Sequence, residues 1–283
     1  MSPCRAPSGV IIRDPSDSKS RSKSTTLAEH IRNATERYLK PRFLRSPTSE
    51  SSPKMPETLS VAVCISHGVT LSDFVTPMEI LSELDPGEEG SWSSAMMGDV
   101  PYRVKIDYLA PTMDPVLASK GRNPPTVNPT LTYADAMADG KQFDILWVPA
   151  DYETGESHIP EEEITFIAQQ APKAKYVMSV CLGAFQLALA GVLNGKRATT
   201  NKLFYRTIAA TSKDIEWVPE ARWVVAEGGK VWTSSGVTAG SDMALAFVEH
   251  LAGAKVARHI RGGFEIPERT EKDDPFAAFH GLV

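Results

Sequence analysis

One cysteine of this sequence lies where its thiol can serve as a nucleophile. In the segment Ser179–Ala184 an apolar run that predicts a strand leads into Cys181, Gly183 follows two residues later, and a helical pattern begins there. A glycine at that point lets the backbone turn sharply and lift the thiol above the edge of a sheet. Because the N-terminal end of a helix stabilises a thiolate, we expect a lowered pKa for this thiol. The pattern therefore predicts a nucleophile elbow with sulfur at Cys181.

The other two cysteines lack that context. Cys64 lies inside a predicted strand, where a free thiol is commonly buried and inert, and Cys4 lies in a polar N-terminal segment. Three widely separated cysteines without a C-x-x-C pair favour neither a disulfide framework nor a cysteine zinc site. The six histidines also lack metal-ligand spacing, so we predict no metal and no cofactor.

Alternating strands and helices must position Cys181. Apolar runs predict strands at residues 59–65, 102–110, 143–150, 175–180, 222–227 and 230–235. Apolar residues at three- and four-residue spacing predict helices at residues 72–84, 161–170, 183–193, 202–211 and 241–253. This order is typical of an α/β fold with a mostly parallel sheet and helices on both faces, here one domain over residues 58–262. Since such folds bind ligands at the carboxyl ends of their strands, the position favours a reactive Cys181 over a buried structural one.

The composition is that of a soluble globular chain. Its 283 residues are 42% hydrophobic and 23% charged, and a mean hydropathy of -0.20 together with the lack of a long apolar run excludes a membrane-spanning protein. The formal net charge of -5 argues against nucleic-acid binding by the whole chain. A reducing compartment fits the unpaired cysteines, so we expect the cytoplasm, with the nucleus as an alternative.

The two ends differ in composition from the middle. Residues 1–58 hold 11 Lys and Arg against 6 Asp and Glu, whereas the remainder holds 19 against 29. Residues 1–57 are rich in Ser, Pro and Arg and lack a sustained apolar period, so we predict a disordered leader. The acids within it disfavour a mitochondrial presequence. Residues 263–283 form a polar tail that we expect either to wrap the surface or to fray.

Four segments together resemble a known family. They are Leu71–Glu79, Phe143–Ala150, Ser179–Asn201 and Thr233–Ala244, and the similarity covers about residues 59–253. The chain resembles the DJ-1/PfpI (ThiJ) superfamily, flavodoxin-like relatives of the class I glutamine amidotransferases. The elements D-F-x-x-P-x-E and G-x-R-A-T-T are most similar to the branch that holds isonitrile hydratases and the sensor domains of AraC-type regulators. No helix-turn-helix pattern follows residue 253, which argues against the regulator version.

The resemblance implies an acid that faces the cysteine. Asp73 stands where isonitrile hydratase-like members carry such an acid, so we expect it to be the general acid and base, with a helix N-cap beside Ser72 as the alternative. Glu79, six residues on, either faces the same pocket or is a solvated helix residue. His67, after the first strand, either lines the pocket or lies in a solvated loop.

Several positions depart from the family pattern. Asn201 stands where many relatives have a histidine, and because an amide is no base near neutral pH, this argues against Cys-His hydrolase chemistry. Leu182 stands where isonitrile hydratases commonly carry a threonine, which makes the pocket more apolar. Ala150 and Asp151 replace a glycine pair, although their backbone N–H groups and that of Leu182 can still form an anion-stabilising hole.

Together these residues predict a small-molecule enzyme without a cofactor. The leading hypothesis is an isonitrile hydratase-like hydro-lyase in which Cys181 attacks an electrophilic carbon and Asp73 protonates the adduct before water resolves it. One alternative is a redox sensor or chaperone of the DJ-1 kind or a glyoxalase-type activity, and another is a non-catalytic ligand-binding domain. The resemblance further implies a homodimer, and we expect neither nucleic acid nor a membrane as a partner.

Overall fold

Seven strands form a central sheet within residues 55–85, 97, 100–118, 123–151 and 159–283, the part of the chain that the computed structural model describes. The strands of these residues are β1 (Glu57–Cys64), β2 (Tyr102–Ala110), β3 (Val116–Leu117), β4 (Thr126–Val127), β5 (Leu131–Thr132), β6 (Ile145–Val148), β7 (Tyr176–Val180), β8 (Arg197–Ala198), β9 (Glu216–Trp217), β10 (Trp223–Ala226) and β11 (Val231–Ser234). The pairs β3 with β4 and β8 with β9 form two small separate sheets.

Helices connect the strands and cover the sheet. In the described residues they are α1 (Val75–Ser82), α2 (Tyr133–Ala138), α3 (Glu161–Gln170), α4 (Gly183–Leu189), α5 (Tyr205–Ala209), α6 (Thr238–Ala252), α7 (Ala254–Gly263) and α8 (Phe276–Phe279). Two 3-10 turns, Leu71–Asp73 and Glu227–Gly229, lie before α1 and after β10.

The order of strands determines which loops meet. The central sheet runs β10-β11-β7-β6-β1-β2-β5, and every neighbouring pair except β10 with β11 is parallel. The carboxyl ends of β1, β6 and β7 are therefore neighbours at one edge of the sheet. The segments that follow these strands carry Asp73, Ala150 and Cys181, so the topology brings the three residues to one place.

Two apolar cores, one on each face of the sheet, hold this arrangement. Along β1, Val61 and Val63 face the core that includes α1, α6 and α7. The intervening Ala62 and Cys64 face the core that includes α2, α3 and α4. This alternation follows from the opposite directions of successive side chains in a strand whose two faces are both covered. Cys64 is thus an enclosed core residue, 1% exposed.

The predicted α/β fold with a mostly parallel sheet is confirmed. All six predicted strands are present, with ends within about two residues of the prediction. Helix α4 ends earlier than predicted, because Gly191 has a φ of 72° that does not continue a helix. Helices α2, α7 and α8 are absent from the prediction, although Thr132 marks the start of α2 by accepting from the Asp135 N–H at 3.0 Å.

The C-terminal tail, residues 263–283, lies against the domain. The Arg222 N–H donates to the Glu271 carbonyl at 2.8 Å. The Arg206 guanidinium donates to two carbonyl groups near the C-terminus, at 3.2 and 2.6 Å. These contacts attach the tail to the surface of the domain at several points.

Other expectations concern the leader, membranes and metals. The predicted leader, residues 1–57, lies outside the described residues except at its last three positions. Among the helices of the described residues, none combines the length and hydropathy that a membrane crossing requires. Within those same ranges, the acidic, cysteine and histidine side chains form no group of three or more that could hold a metal ion.

Candidate active site

Cys181 lies at a strained turn between β7 and α4. Its φ of 60° lies in the left-handed region, which a residue with a side chain adopts at a cost of about 1 kcal/mol or more. The Cys181 N–H donates a shared hydrogen bond to the carbonyls of Ser234 and Ser235, at 3.2 and 3.1 Å. The Cys181 carbonyl accepts from the Thr200 hydroxyl at 2.8 Å. Contacts on both sides therefore hold the elbow in its strained conformation, with Cys181 6% exposed.

Two glycines let α4 and α6 approach this turn closely. A Cβ on Gly183 would lie 2.0 Å from the Val148 carbonyl oxygen, and a Cβ on Gly240 would lie 2.8 Å from Cγ1 of Val180. Neither distance leaves room for a methyl group, so only glycine fits without a shift. The starts of both helices therefore reach the end of β7, where the thiol lies.

Three donors surround the sulfur of Cys181. The Asn201 side-chain nitrogen lies 3.2 Å from Sγ. The backbone N–H groups of Leu182 and Val237, which directly precede α4 and α6, also hydrogen-bond to the sulfur. Donors of this kind favour a thiolate over a thiol. The Leu182 N–H thus donates to the sulfur in this structure, and its role in an anion-stabilising hole stays a prediction.

The pKa of Cys181 is nevertheless raised, to about 12. Burial is the largest cause and the negative charge of Asp73 adds to it, whereas the three donors lower the pKa and do not outweigh these two effects. The expectation of a lowered thiol pKa is therefore wrong. The helix end is only one influence on the thiol, because the sulfur is also removed from water and the charge of Asp73 acts on it.

Asp73 is fully buried at the end of the 3-10 turn before α1. Its Oδ2 accepts from the Ala150 N–H at 3.0 Å, and Trp147 Nε1 donates to the Asp73 carbonyl at 2.9 Å. The residue that precedes α1, Phe74, provides no side-chain cap. The Asp73 carboxylate binds the loop after β6 instead of the helix, so the N-cap alternative is wrong.

The second carboxylate oxygen of Asp73 is the unusual feature of the site. Oδ1 is buried and has no hydrogen-bond partner among the described residues. Burial raises the pKa of Asp73 to about 7, although the Ala150 N–H lowers it. A carboxyl with such a pKa exchanges a proton near neutral pH. The negative charge of Asp73 in turn raises the pKa of the Cys181 thiol.

The loop after β6 contributes differently from the prediction. The Ala150 N–H donates to Asp73, and the Ala150 carbonyl accepts from the Thr70 N–H at 2.9 Å. The predicted anion-stabilising role of Ala150 is therefore wrong, because an N–H that already donates to a carboxylate is not free for a substrate. Asp151 is 4% exposed, and its carboxylate accepts from the Ser66 hydroxyl at 3.4 Å.

A protein-family model matches most of this chain. The model of the DJ-1/PfpI family matches residues 59–250, which contain the elbow, Asp73 and all the donors to the thiol. The chain belongs to the DJ-1/PfpI family. The resemblance of the four sequence segments to that family is thereby confirmed.

Individual members of the DJ-1/PfpI family are similar to different extents. An isonitrile hydratase from Pseudomonas putida is 32% identical over 158 residues, which are 56% of this chain and 64% of that protein. The chain thus covers less than two thirds of this curated relative. Two solved structures share the fold: a THiJ/PfpI family protein from Pseudomonas syringae (TM-score 0.60, 23% identity, 87% of this chain and 94% of the other) and Drosophila melanogaster DJ-1beta (TM-score 0.58, 17% identity, 75% and 100%).

Two residues that the sequence offered for the pocket are exposed to solvent. Glu79 is exposed on α1, and its charge adds to the burial that raises the pKa of Tyr108 on β2. His67 is exposed, and its Nδ1 accepts from the Leu117 N–H at 3.0 Å. The exposure of both residues favours the solvated alternatives, and the catalytic role of Glu79 stays an untested prediction.

A buried polar cluster beside the loop after β6 is absent from the prediction. Glu163 on α3 is fully buried, and its Oε1 accepts from Nε2 of Gln186 on α4 at 2.8 Å. The same amide donates to the Pro149 carbonyl at 3.4 Å. Burial raises the pKa of Glu163 to about 7; the Gln186 donor lowers it, and the charge of Asp151 raises it further. The cluster connects α3 and α4 to the loop that binds Asp73.

Gly236 gives Asn201 its access to the thiol. A Cβ on Gly236 would lie 2.6 Å from the Asn201 side-chain nitrogen, which belongs to a flexible group that can rotate away. In the Gly236→Ala variant we expect this rotation to remove the donor from Sγ and raise the pKa of Cys181. Alkylation of Cys181 by iodoacetamide at mildly alkaline pH should then slow by about tenfold with little loss of stability.

Asn201→Ala is the matched control for this prediction. It removes the same donor directly, so it should slow the alkylation of Cys181 to the same extent, and the double variant should be no slower. Peptide mass spectrometry over a pH series measures the rates. A Gly236→Ala protein that reacts like the wild type would contradict the contact between the amide and the thiol.

Proposed function

We propose that this chain is a cysteine-dependent small-molecule enzyme of the hydro-lyase class, with Cys181 as nucleophile and Asp73 as general acid and base. One observation carries the proposal: Asp73 Oδ1 is buried without a partner among the described residues, on a carboxyl whose charge acts on the thiol. Buried polar atoms are as a rule hydrogen-bonded, and among the described carboxylates Glu163 Oε2 and Asp274 Oδ2 share this exception. Of these three groups, Asp73 is the one whose charge raises the pKa of the Cys181 thiol. An unsatisfied oxygen on a group with a pKa of about 7 is suited to accept a proton and return it.

The proton balance of the reaction follows from this pair. At neutral pH the thiol holds its proton and Asp73 is partly ionised, because their pKa values are about 12 and about 7. As the Cys181 sulfur bonds to an electrophilic carbon, the S–H bond breaks and the proton passes to Asp73. Asp73 then protonates the adduct. Water adds to the same carbon, the carbon–sulfur bond breaks, and the thiol is restored.

An isonitrile is the substrate class that the comparisons suggest. The isonitrile hydratase from Pseudomonas putida supports it, although this chain covers only 64% of that protein. With an isonitrile, the terminal carbon would receive the sulfur and then the proton, and addition of one water would release an N-substituted formamide. Cys181, Leu182 and Ala150 belong to one apolar core, so apolar side chains pack around the elbow.

The burial of Cys181 favours this enzyme over a redox sensor. Oxidation of a cysteine follows its thiolate character and its exposure. The Cys181 thiol has a pKa of about 12 and the residue is 6% exposed, so both properties are low. A glyoxalase-type activity would use the same two groups on an α-oxoaldehyde, and a non-catalytic ligand-binding domain would use neither.

An intact-mass scan of the full chain with isonitriles, α-oxoaldehydes and acyl donors tests the proposal. We expect an isonitrile to give an adduct at Cys181 and a formamide product. Cys64 should stay unmodified, because burial and the charge of Glu163 raise its pKa well above the ordinary value, although Tyr133 lowers it. Cys64→Ala should keep both adduct and product, whereas Cys181→Ala should lose both.

Three outcomes of the scan would contradict the hydratase. Product formation by Cys181→Ala would end the cysteine mechanism. Turnover of α-oxoaldehydes alone would support the glyoxalase-type alternative. Binding without any adduct or product from the three classes would support the ligand-binding domain.

Two further expectations accompany the proposal. A homodimer is implied by the resemblance to the family, and light scattering at micromolar concentration checks it. A cytoplasmic location, with the nucleus as the alternative, agrees with the free thiols of Cys64 and Cys181.

A further inference from the structure

A buried lysine links the C-terminal tail to the segment that carries Asn201. Nζ of Lys202 lies 2.6 Å from the Thr199 hydroxyl, 2.7 Å from the Ala221 carbonyl and 3.6 Å from Oδ2 of Asp274. The side chains of Lys202 and Asp274 are 2% and 0% exposed. An ammonium group removed from water is costly unless an opposite charge compensates it. Asp274 supplies that charge from the tail.

Charged groups of both the tail and the domain act on the pKa of Lys202. Burial lowers the pKa of Lys202 to about 8, Asp274 is the first influence that raises it, and Glu220 raises it further. Arg222 lowers it by repulsion. The ring of Tyr205 also faces the ammonium, with its centroid 5.9 Å from Nζ. Asp274 thus supplies, from the tail, a negative charge that compensates the buried Lys202 ammonium.

Lys202 lies inside the turn that orients Asn201. Oδ1 of Asn201 accepts from the Leu203 N–H at 2.9 Å, which leaves the side-chain nitrogen directed at Cys181 Sγ, 3.2 Å away. The residue before, Thr200, donates its hydroxyl to the Cys181 carbonyl at 2.8 Å. Fixing the Lys202 side chain therefore fixes the turn whose first residue contacts the thiol.

We propose that the C-terminal tail is a positioning element of the active site, in which Asp274, through Lys202, holds Asn201 where its amide donates to the Cys181 thiol. Asp274 and Lys202 are positioning residues, because neither touches the reacting atoms. The inference rests on the proposed function in that Cys181 is the nucleophile. It adds to that function a part of the chain that is far from the elbow in sequence.

The Asp274→Asn variant of the full chain tests the link. We expect the alkylation of Cys181 by iodoacetamide at mildly alkaline pH to slow by about threefold to tenfold, because a displaced Asn201 no longer stabilises the thiolate. Glu268→Gln removes one negative charge from an exposed position of the same tail and should react like the wild type. In an Asn201→Ala background, Asp274→Asn should cause no further slowing, because the donor that it positions is already absent.

A tail with a structural role only gives a different pattern. Asp274→Asn would then lower the melting temperature and leave the alkylation of Cys181 unchanged, which would overturn the inference. Faster alkylation, or equal slowing in the Asn201→Ala background, would overturn it as well.

Two further measurements keep the test decisive. If Asp274→Asn does not fold, Lys202→Met combined with Asp274→Leu removes both buried charges together and should show the same slowing. Preferential alkylation of Cys64 in the wild type would contradict the proposed function itself. Failure of the function and failure of the tail link are therefore distinguishable.

Discussion

In the Asp73→Asn variant, turnover and thiol reactivity should change in opposite directions. We expect the single-turnover rate with the electrophile that modifies Cys181 to fall about 100-fold or more, because an amide cannot accept the thiol proton and return it to the adduct. We expect iodoacetamide to alkylate Cys181 faster than in the wild type at the same pH. The reason is that the carboxylate charge, which raises the thiol pKa, is gone. Both rates are measured on the same preparation.

The same variant should change how stability depends on pH. The pKa of Asp73 is raised from 3.8 to about 7 in the folded chain, so the folded state keeps a proton that the unfolded state has released. The stability that this contributes is present below about pH 4 and is lost as the pH rises through 7. Relative to Asp73→Asn, the wild type should lose up to roughly 4 kcal/mol of unfolding free energy across that window. Urea unfolding at a series of pH values measures the difference.

Two further variants test whether these effects are specific to the position and chemistry of Asp73. Asp73→Glu keeps the acid but displaces it in a closely packed site, so turnover should fall as well. Glu79→Gln removes an exposed carboxylate from the following helix and should leave both turnover and alkylation unchanged. Wild-type turnover in Asp73→Asn, or slower alkylation of its thiol, would contradict proton transfer by this carboxyl.

The elbow and its sheet were predictable because their signals are local. An apolar run, Cys181 and Gly183 lie within a few residues of one another, and together they imply the turn that the structure shows. The meeting of Cys181 with Asp73 was predictable for a topological reason, since both residues follow strands of one parallel sheet.

The burial of Glu163 also has a readable signal. Glu163 is the third of three consecutive glutamates, a composition typical of a solvated helix start. It is followed three, four and seven residues later by Phe166, Ile167 and Gln170, and all four are buried on one face of α3. The spacing therefore indicates that this glutamate, and neither of the two before it, faces the interior.

Other parts of the site have no local signal. Asp274 meets Lys202, and the Ala150 N–H meets Asp73, only after distant segments fold together. The direction of the Cys181 pKa likewise depends on how deeply the sulfur is buried and on a carboxylate from another loop. A helix end predicted from the sequence indicates neither the burial of the sulfur nor the position of that carboxylate.

Adding one methyl group at Gly183 should destabilise the domain by about 3 kcal/mol or more. In Gly183→Ala the new Cβ would lie 2.0 Å from the Val148 carbonyl oxygen and 2.9 Å from its carbonyl carbon. These are backbone atoms at the end of a buried strand and cannot rotate away, so α4 must move away from β6. Because Cys181 and Leu182 directly precede α4, the same movement should displace the thiol from its donors and change its rate of alkylation.

Gly262→Ala is the matched control for Gly183→Ala. A Cβ on Gly262 meets nothing within 4 Å, and this glycine lies inside α7, where alanine is the better helix former. Its unfolding free energy should therefore equal or slightly exceed that of the wild type, with Cys181 unaffected. Urea unfolding measures the stability of both variants, and the alkylation of Cys181 by iodoacetamide measures the effect on the thiol. If Gly183→Ala matched its control in both measurements, α4 would not rest on the β6 backbone, and the elbow would not depend on that contact.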